Sequence, residues 1–282
     1  MKTILNLDRR FRPLNGEEIS YEAFTFAGGE LHIKIDASEL ADSVTIAHRL
    51  NSFGDIGLLY LAVDALRRMG VKRLDLFVPY FPAARQDRLM VAGEPLSVKV
   101  YADLINQLHF ETITILDPHS DVTAAVLDRC VVVSNHSFIH QVVQIIGKDS
   151  LLISPDGGAL KKIYKVSIAL NGMEVIECSK SRDVKTGRLS GFKVYADDLE
   201  GRDCLIVDDI CDGGGTFIGL AKELKAKNAG ALYLAVSHGI FSKGTETLTD
   251  VFDHIFTTDS VKEIQSDKIT TLSIANLIYS QF

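Results

Sequence analysis

Asp208, Asp209 and Asp212 stand with Gly213, Gly214, Gly215 and Thr216 in the stretch CLIVDDICDGGGT, residues 204–216. Glycines let a backbone approach a phosphate closely. A helix N-terminus behind them offers unpaired N–H groups and a partial positive charge. Thr216 adds a hydroxyl donor and a candidate helix cap. The carboxylates cannot hold a phosphate, but they suit sugar hydroxyls or a metal on the same ligand. The spacing describes a phosphorylated sugar, with phosphate in the turn and ribose against Asp208 and Asp209. An ordinary tight turn is the plainer alternative, and the acids in this order count against it. No Gly-Lys-Ser/Thr follows the glycines, so this is not a Walker A loop, and a GxGxxG fingerprint is absent.

Three other stretches carry groups with chemistry. VPYFPAARQDR, residues 78–88, leaves a strand and delivers Arg85, Gln86, Asp87 and Arg88. Arg85 could stack on a purine or pair with a phosphate, and a solvated charged turn is the competing reading. KSRDVKTGRLSG, residues 180–191, is basic and has almost no apolar anchor. It reads as an exposed mobile loop or as a basic lid over phosphates. Asp156, in Ser154-Pro155-Asp156-Gly157-Gly158, is an oxygen donor for a metal or a turn acid that satisfies backbone N–H groups. His119 follows a strand and a proline. Alone it reads as structural, because magnesium prefers oxygen ligands.

The elements that must position these groups alternate. Strand-like runs at 22–26, 31–35 and 43–47 precede a helix over 55–69, whose apolar residues recur at helical spacing until Gly70. Strands at 74–78 and 112–116 flank a helix over 96–108, and a helical piece begins at 122–127. A second series has strands at 151–154, 174–177, 204–207 and 232–236, with helices after the first and, over 217–227, after the third. This alternation predicts an α/β fold with largely parallel sheets. The expected domains are 1–147 and 148–282.

The 282 residues suffice for one large or two medium domains, and 46% hydrophobic content builds a core. A net charge of −7 argues against nucleic acid and asks for local basic clusters wherever phosphates bind. Cys130, Cys178, Cys204 and Cys211 show no metal or CxxC spacing and read as small buried hydrophobes, Cys211 included. No signal-peptide core and no membrane-length apolar run is present, so the expectation is a soluble, cytoplasmic protein with no membrane partner.

The phosphate turn resembles the 5-phosphoribosyl-diphosphate (PRPP) motif shared by type I phosphoribosyltransferases and ribose-phosphate pyrophosphokinases. The ARQDR string resembles the pyrophosphokinases alone. That resemblance runs along most of the chain. It implies two phosphoribosyltransferase-like domains, each a mainly parallel sheet flanked by helices. It implies that Phe26, Gly29 and Glu30 reach adenine from a neighbouring subunit, and that Arg85, Gln86, Asp87 and His119 serve ATP. Asn51 and Ser52 match the entry to the family's first long helix. His119 and Asp156 would serve Mg²⁺. Lys180 and Arg182 would be catalytic, Arg182 also touching substrate. Asp208, Asp209, Asp212, Gly213, Gly214, Gly215 and Thr216 would hold ribose 5-phosphate. The implied reaction converts ATP and ribose 5-phosphate into PRPP and AMP, in a homo-oligomer, dimer or hexamer, with nucleotide sites shared between subunits. The alternatives are a phosphoribosyltransferase that consumes PRPP and a non-catalytic regulatory partner of a synthetase.

The chain departs from the pattern in places. Gly28 stands where the family usually carries Asp or Asn, which bears on nucleotide preference. Gly213 replaces a usual threonine and removes one hydroxyl donor to the phosphate. Ala159 replaces the second glycine that usually follows SPD. LMVAGEP, residues 89–95, lacks the basic residues that usually follow RQDR. Control by phosphate or ADP is therefore expected to be weak or absent.

Overall fold

The computed structural model describes residues 2–182 and 189–279. The chain divides into two compact units, Met1–Ser134 and Asn135–Phe282. The first contains β1 (Thr3–Asn6), β2 (Glu17–Glu18), β3 (Ser20–Thr25), β4 (Leu31–Asp36), β5 (Ser43–Ala47), α1 (Phe53–Arg68), β6 (Arg73–Val78), α2 (Ser97–Asn106), β7 (Thr112–Leu116), α3 (Asp121–Val126) and β8 (Cys130–Val133). The second contains α4 (His136–Ile146), β9 (Leu151–Ser154), α5 (Leu160–Ala169), β10 (Val175–Arg182), β11 (Leu189–Val194), β12 (Cys204–Cys211), α6 (Gly215–Ala226), β13 (Leu232–Gly239), α7 (Glu246–Thr249), β14 (His254–Thr258), β15 (Ile269–Leu272) and α8 (Ile274–Tyr279).

In the first unit six parallel strands run in the order β2-β1-β5-β6-β7-β8. Strands β3 and β4 form a separate antiparallel hairpin. Helix α1 begins on a capping box: Asp55 N–H donates to Ser52 Oγ at 3.3 Å, and Ser52 N–H donates to Asp55 Oδ2 at 2.7 Å. Its Ile56, Leu59, Val63 and Leu66 pack onto Ile46, Leu76 and Ile115.

The second unit holds seven strands in the order β11-β10-β9-β12-β13-β14-β15. All pairs are parallel except β10 with β11. Alternate residues of the central strands enter different cores. Ile153, Ile206 and Val236 pack with Leu220 and Leu224 of α6, while Leu152, Leu205 and Ala235 pack with Phe138, Val142 and Ile163 of α4 and α5. Burial on both faces is why Cys204–Val207 is a continuous apolar run rather than an alternating one. The division between units precedes α4, not residue 147, because Phe138, Ile139, Val142 and Val143 belong to the second unit's core.

Strand β12 also runs beyond the expected end at Val207. Pairing with β13 continues through Asp208↔Val236, Ile210↔His238 and Cys211↔Gly239, so Asp208 and Asp209 sit within the strand. Helix α6 then packs on β11 at one point of close approach. A Cβ on Gly219 would stand 2.1 Å from the Phe192 ring, and Phe192 is paired across the hairpin with Lys180. Gly219→Ala is expected to displace that ring and destabilise the unit by about 1–3 kcal/mol. Chemical denaturation of the variant measures the effect, and an unchanged midpoint would show that the ring is free to yield.

Candidate active site

The groups that could do chemistry gather where parallel strands end. In the second unit β10, β9, β12 and β13 are consecutive neighbours. Asp156 follows the C-terminal end of β9, Lys180 lies late in β10, and Asp208, Asp209 and the glycine turn close β12. In open α/β sheets this edge binds ligands, because loops from adjacent strands converge there without disturbing the core.

Asp156 is held by its own turn. Its Oδ1 accepts from Gly158 N–H at 2.8 Å and Ala159 N–H at 3.0 Å. Its Oδ2 is ion-paired with the Lys180 ammonium. Burial alone would raise this carboxyl. The Lys180 hydrogen bond and charge, with the two backbone donors, outweigh burial and hold it below the usual carboxylate range. The turn-acid reading of Asp156 is therefore realised in one oxygen, and the other is paired with the Lys180 ammonium.

Asp208 is half-buried and Asp209 buried. Burial pushes the Asp208 carboxyl well above its ordinary value, and Asp209 and then Asp156 push it further. Its Oδ1 accepts from the Asp209 N–H at 2.9 Å. A carboxylate crowded in this way is stabilised by a sugar hydroxyl or a cation.

The glycine turn opens α6. Gly214 is the N-cap with φ 75°, and a Cβ there would stand 3.0 Å from Leu248 Cδ2, so glycine is required both by backbone conformation and by space. No side chain caps the helix. Thr216, expected as a cap, lies inside the first turn, because the helix starts at Gly215 rather than Phe217. The first N–H groups of the helix are left for a ligand. Cys211 is fully buried, and burial followed by Asp208 and Asp212 pushes its thiol up to about 12. It is packing, not a nucleophile.

Of the expected loop, 180–182 close β10 and 189–191 open β11, so both its ends are strand; the Arg182 side chain and residues 183–188 lie outside the described residues. One basic residue escaped the sequence reading. Lys243, in the loop after β13, lays its stem over Gly213. Its signal was its place: a loop at the C-terminal end of the strand next to β12.

In the first unit the 79–88 loop leaves β6 and the Asp117-Pro118-His119-Ser120 turn leaves β7, the adjacent strand. Gln86 N–H donates to Ala83 O at 2.8 Å, with Ala83 at φ 57°, and the turn leaves Arg85 and Gln86 exposed and Asp87 half-buried. Asp117 is held at φ 38° while its N–H donates to Val133 O at 2.9 Å, which turns the chain sharply before His119. Ser120 Oγ is shielded from solvent and has no hydrogen-bond partner among the described residues. At the tip of the β3–β4 hairpin, Gly29 N–H donates to Phe26 O at 2.8 Å. Phe26 is exposed and stacks edgewise on Phe24, with ring centroids 4.9 Å apart. Glu30 Oε2 folds to within 2.8 Å of where a Gly28 Cβ would be, so in this conformation the acid occupies the space of the side chain that Gly28 lacks.

No helix among the described residues is long and apolar enough to cross a membrane. Residues 12–108 match the family model described as the N-terminal domain of ribose phosphate pyrophosphokinase. Residues 191–281 match the phosphoribosyl synthetase-associated domain. The chain is 29% identical over 284 aligned residues to the ribose-phosphate pyrophosphokinase of Vibrio parahaemolyticus, covering 96% of this chain and 88% of that one. It is 27% identical to that of Mycoplasma genitalium over 263 residues, covering 89% and 78%. The fold is that of the phosphoribosylpyrophosphate synthetase of Mycobacterium smegmatis, with TM-score 0.84 at 24% identity over 100% of this chain and 97% of that one.

Proposed function

Since the chain belongs to the ribose-phosphate pyrophosphokinase family, we propose that it transfers the β,γ-pyrophosphoryl group of Mg-ATP to the C1 hydroxyl of ribose 5-phosphate, giving PRPP and AMP. The observation that carries this reading is Lys180 held on Asp156 at the sheet edge that also ends in Asp208, Asp209 and the glycine turn. A cation, an acid pair for ribose and an anion cradle are the parts such a transfer needs.

In-line transfer of this kind depends on positioning and on offsetting charge that develops on the phosphoryl oxygens. The turn at 213–216 would take the 5-phosphate through backbone N–H groups, and Asp208, Asp209 and Asp212 the ribose hydroxyls. That leaves C1 oriented away from the turn. Lys180 would exchange Asp156 for the transferred phosphoryl group, and Arg182 would be the second catalytic residue. Arg85, Gln86 and Asp87 would hold the nucleotide with His119. Phe26, Gly29 and Glu30 would complete it from a second copy in a homo-oligomer, a reading supported by the exposed Phe24–Phe26 pair on the separate β3–β4 hairpin.

The residues fit magnesium in part. Asp156 is ionised, fixed by two N–H donors and already facing a cation, and the crowded Asp208 carboxyl gains from positive charge. Among the described residues no group of three or more His, Cys, Asp or Glu could enclose an ion. Asp156 and His119 are therefore proposed as single donors, with phosphate oxygens and water completing the shell, as is usual for this ion. Bound Mg²⁺ would offset charge on the phosphate oxygens.

We propose further that phosphate and ADP exert no allosteric control. The 89–95 loop carries no basic residue, exposes Leu89, Met90 and Val91, and folds its Glu94 carboxylate onto the N–H groups of Met90 and Val91 at 3.1 and 3.2 Å. The reading also carries cytoplasmic residence, where its substrates are found.

AMP formation from ribose 5-phosphate, Mg²⁺ and ATP, with phosphate omitted, tests all of this. The expected result is AMP that appears only with ribose 5-phosphate and does not increase with added phosphate. Silence that persists with phosphate and with other nucleotides would sink the synthetase reading.

A further inference from the structure

We infer that Lys243 is a further ligand of the 5-phosphate, reaching the turn from the neighbouring strand and supplying the contact that Gly213 lacks. The inference rests on the proposed ribose 5-phosphate site and adds to it a residue and a reason for its sequence.

The loop after β13 is fastened to the phosphate turn. Ile240 and Phe241 N–H groups both donate to Cys211 O, at 2.9 and 3.1 Å. Phe241 is buried and held at φ 45°, and Gly244 N–H donates back to Phe241 O at 3.2 Å, so the tip is a closed turn. Leu248 meets Gly214 from the same segment. The loop is therefore tied to residues 211–214, and Lys243 is the one cation in 240–248.

The Lys243 stem lies against Gly213. Its Cγ, Cδ and Cε are 3.9, 3.5 and 3.4 Å from the position a Gly213 Cβ would take. Cε, the carbon that carries the ammonium, is the nearest. Long cations bury their methylenes and keep the charged head in water, and a glycine offers the flattest surface for that. Lys243 is exposed, and no hydrogen bond or ion pair holds its ammonium among the described residues. The cradle beside it is crowded with Asp208, Asp209 and Asp212 in a chain of net charge −7. Without Lys243, backbone N–H groups and the Thr216 hydroxyl must bind a dianion against those acids. A full positive charge at the mouth offsets them.

Gly213 and Lys243 thereby form a matched pair. A threonine at 213 would restore the hydroxyl donor; its Cβ would stand at ordinary contact distance from the Lys243 stem, and the atoms beyond the Cβ would compete with that stem for space.

Binding of ribose 5-phosphate by calorimetry, for wild type, Lys243→Met, Gly213→Thr and the double variant, decides the matter, with initial rates measured beside it. Lys243→Met keeps the stem and removes the charge. It is expected to weaken ribose 5-phosphate about 10- to 30-fold, to flatten the salt dependence of that binding, and to leave the KM for ATP unchanged. Adding Gly213→Thr to Lys243→Met is expected to recover part of the loss, whereas Gly213→Thr alone weakens binding. Ribose 5-phosphate affinity within twofold of wild type in Lys243→Met would overturn the inference while a working wild type upholds the synthetase. A wild type that binds ribose 5-phosphate through Lys243 yet forms no AMP would overturn the synthetase and uphold the contact. A wild type that neither binds nor reacts overturns both.

Discussion

Lys180→Ala is expected to lower the rate of AMP formation at saturating substrates by about 10²- to 10³-fold, the usual loss for one preorganised group that stabilises developing charge. The argument rests on where the ammonium is kept. Lys180 is half-buried at the end of β10 and paired with Asp156, so its charge is already at the sheet edge before a phosphate arrives. Exchange of one anionic partner for another needs no new desolvation of the cation. Alanine removes the cation but leaves the hairpin, whose register from Cys178↔Val194 to Lys180↔Phe192 is set by the backbone.

The same variant separates catalysis from stability. Asp156 has a lowered carboxyl pKa although burial opposes it, and Lys180 is the first group that lowers it. A lowered carboxyl contributes stability above its unfolded pKa and loses that contribution as pH falls through the folded one. The wild type should therefore melt slightly above Lys180→Ala at neutral pH, with the two curves meeting below the usual carboxylate range. The pair is partly exposed, so the difference is at most about 1 kcal/mol. Initial rates and thermal melts on one preparation check both parts. A rate within tenfold of wild type would remove Lys180 from the chemistry.

The parts of this molecule that repeat were legible in the sequence, and the parts that depend on neighbours were not. CLIV read as a doubly buried strand because both faces of β12 meet apolar cores, and α1 read as a helix because Leu59, Ala62, Val63 and Leu66 recur on one face. The PDGG and DDICDGGGT turns stood out because glycines and acids are rare inside apolar strands. Strand length was misjudged at Asp208, since acids ordinarily end a strand and here β13 continues to pair beyond them. Thr216 was misjudged as a cap because Gly214 takes a left-handed conformation and starts the helix early. Strand β8 and helix α4 went unread, because Val131 and Val132 are exposed on an edge strand and α4's face is defined by a core assembled later in the chain. The Lys180–Asp156 pair joins two strands with separate loops, and no spacing rule foretells it.

Asp208→Asn should make the protein more stable and less active at once. Asp208 is raised well above the ordinary carboxyl value by burial, then by Asp209 and Asp156. A raised carboxyl favours the folded state below its unfolded pKa, and that advantage is lost as pH rises through the folded value. Wild type should thus lose stability toward alkaline pH while the asparagine variant, which has no charge to crowd, does not. Asparagine also keeps the Oδ1 that accepts the Asp209 N–H at 2.9 Å. At pH 8 the gain is about 1 kcal/mol, or roughly 2–4 °C, and it should vanish below the usual carboxylate range. Activity moves the other way. A charged acceptor to a hydroxyl contributes about 1.5–3 kcal/mol, so kcat/KM for ribose 5-phosphate should fall roughly 10- to 100-fold, with the KM for ATP little changed. Because the ionised form is the acceptor, wild-type kcat/KM should climb with pH through a group above the carboxylate range, and the variant should lack that limb. Melts and kcat/KM from pH 5 to pH 9 read both effects. An asparagine variant that melts lower than wild type at pH 8 would mean that the Asp208 carboxyl is not raised in the unliganded fold, and the acid pair would then be a satisfied structural contact rather than a ribose site held in readiness.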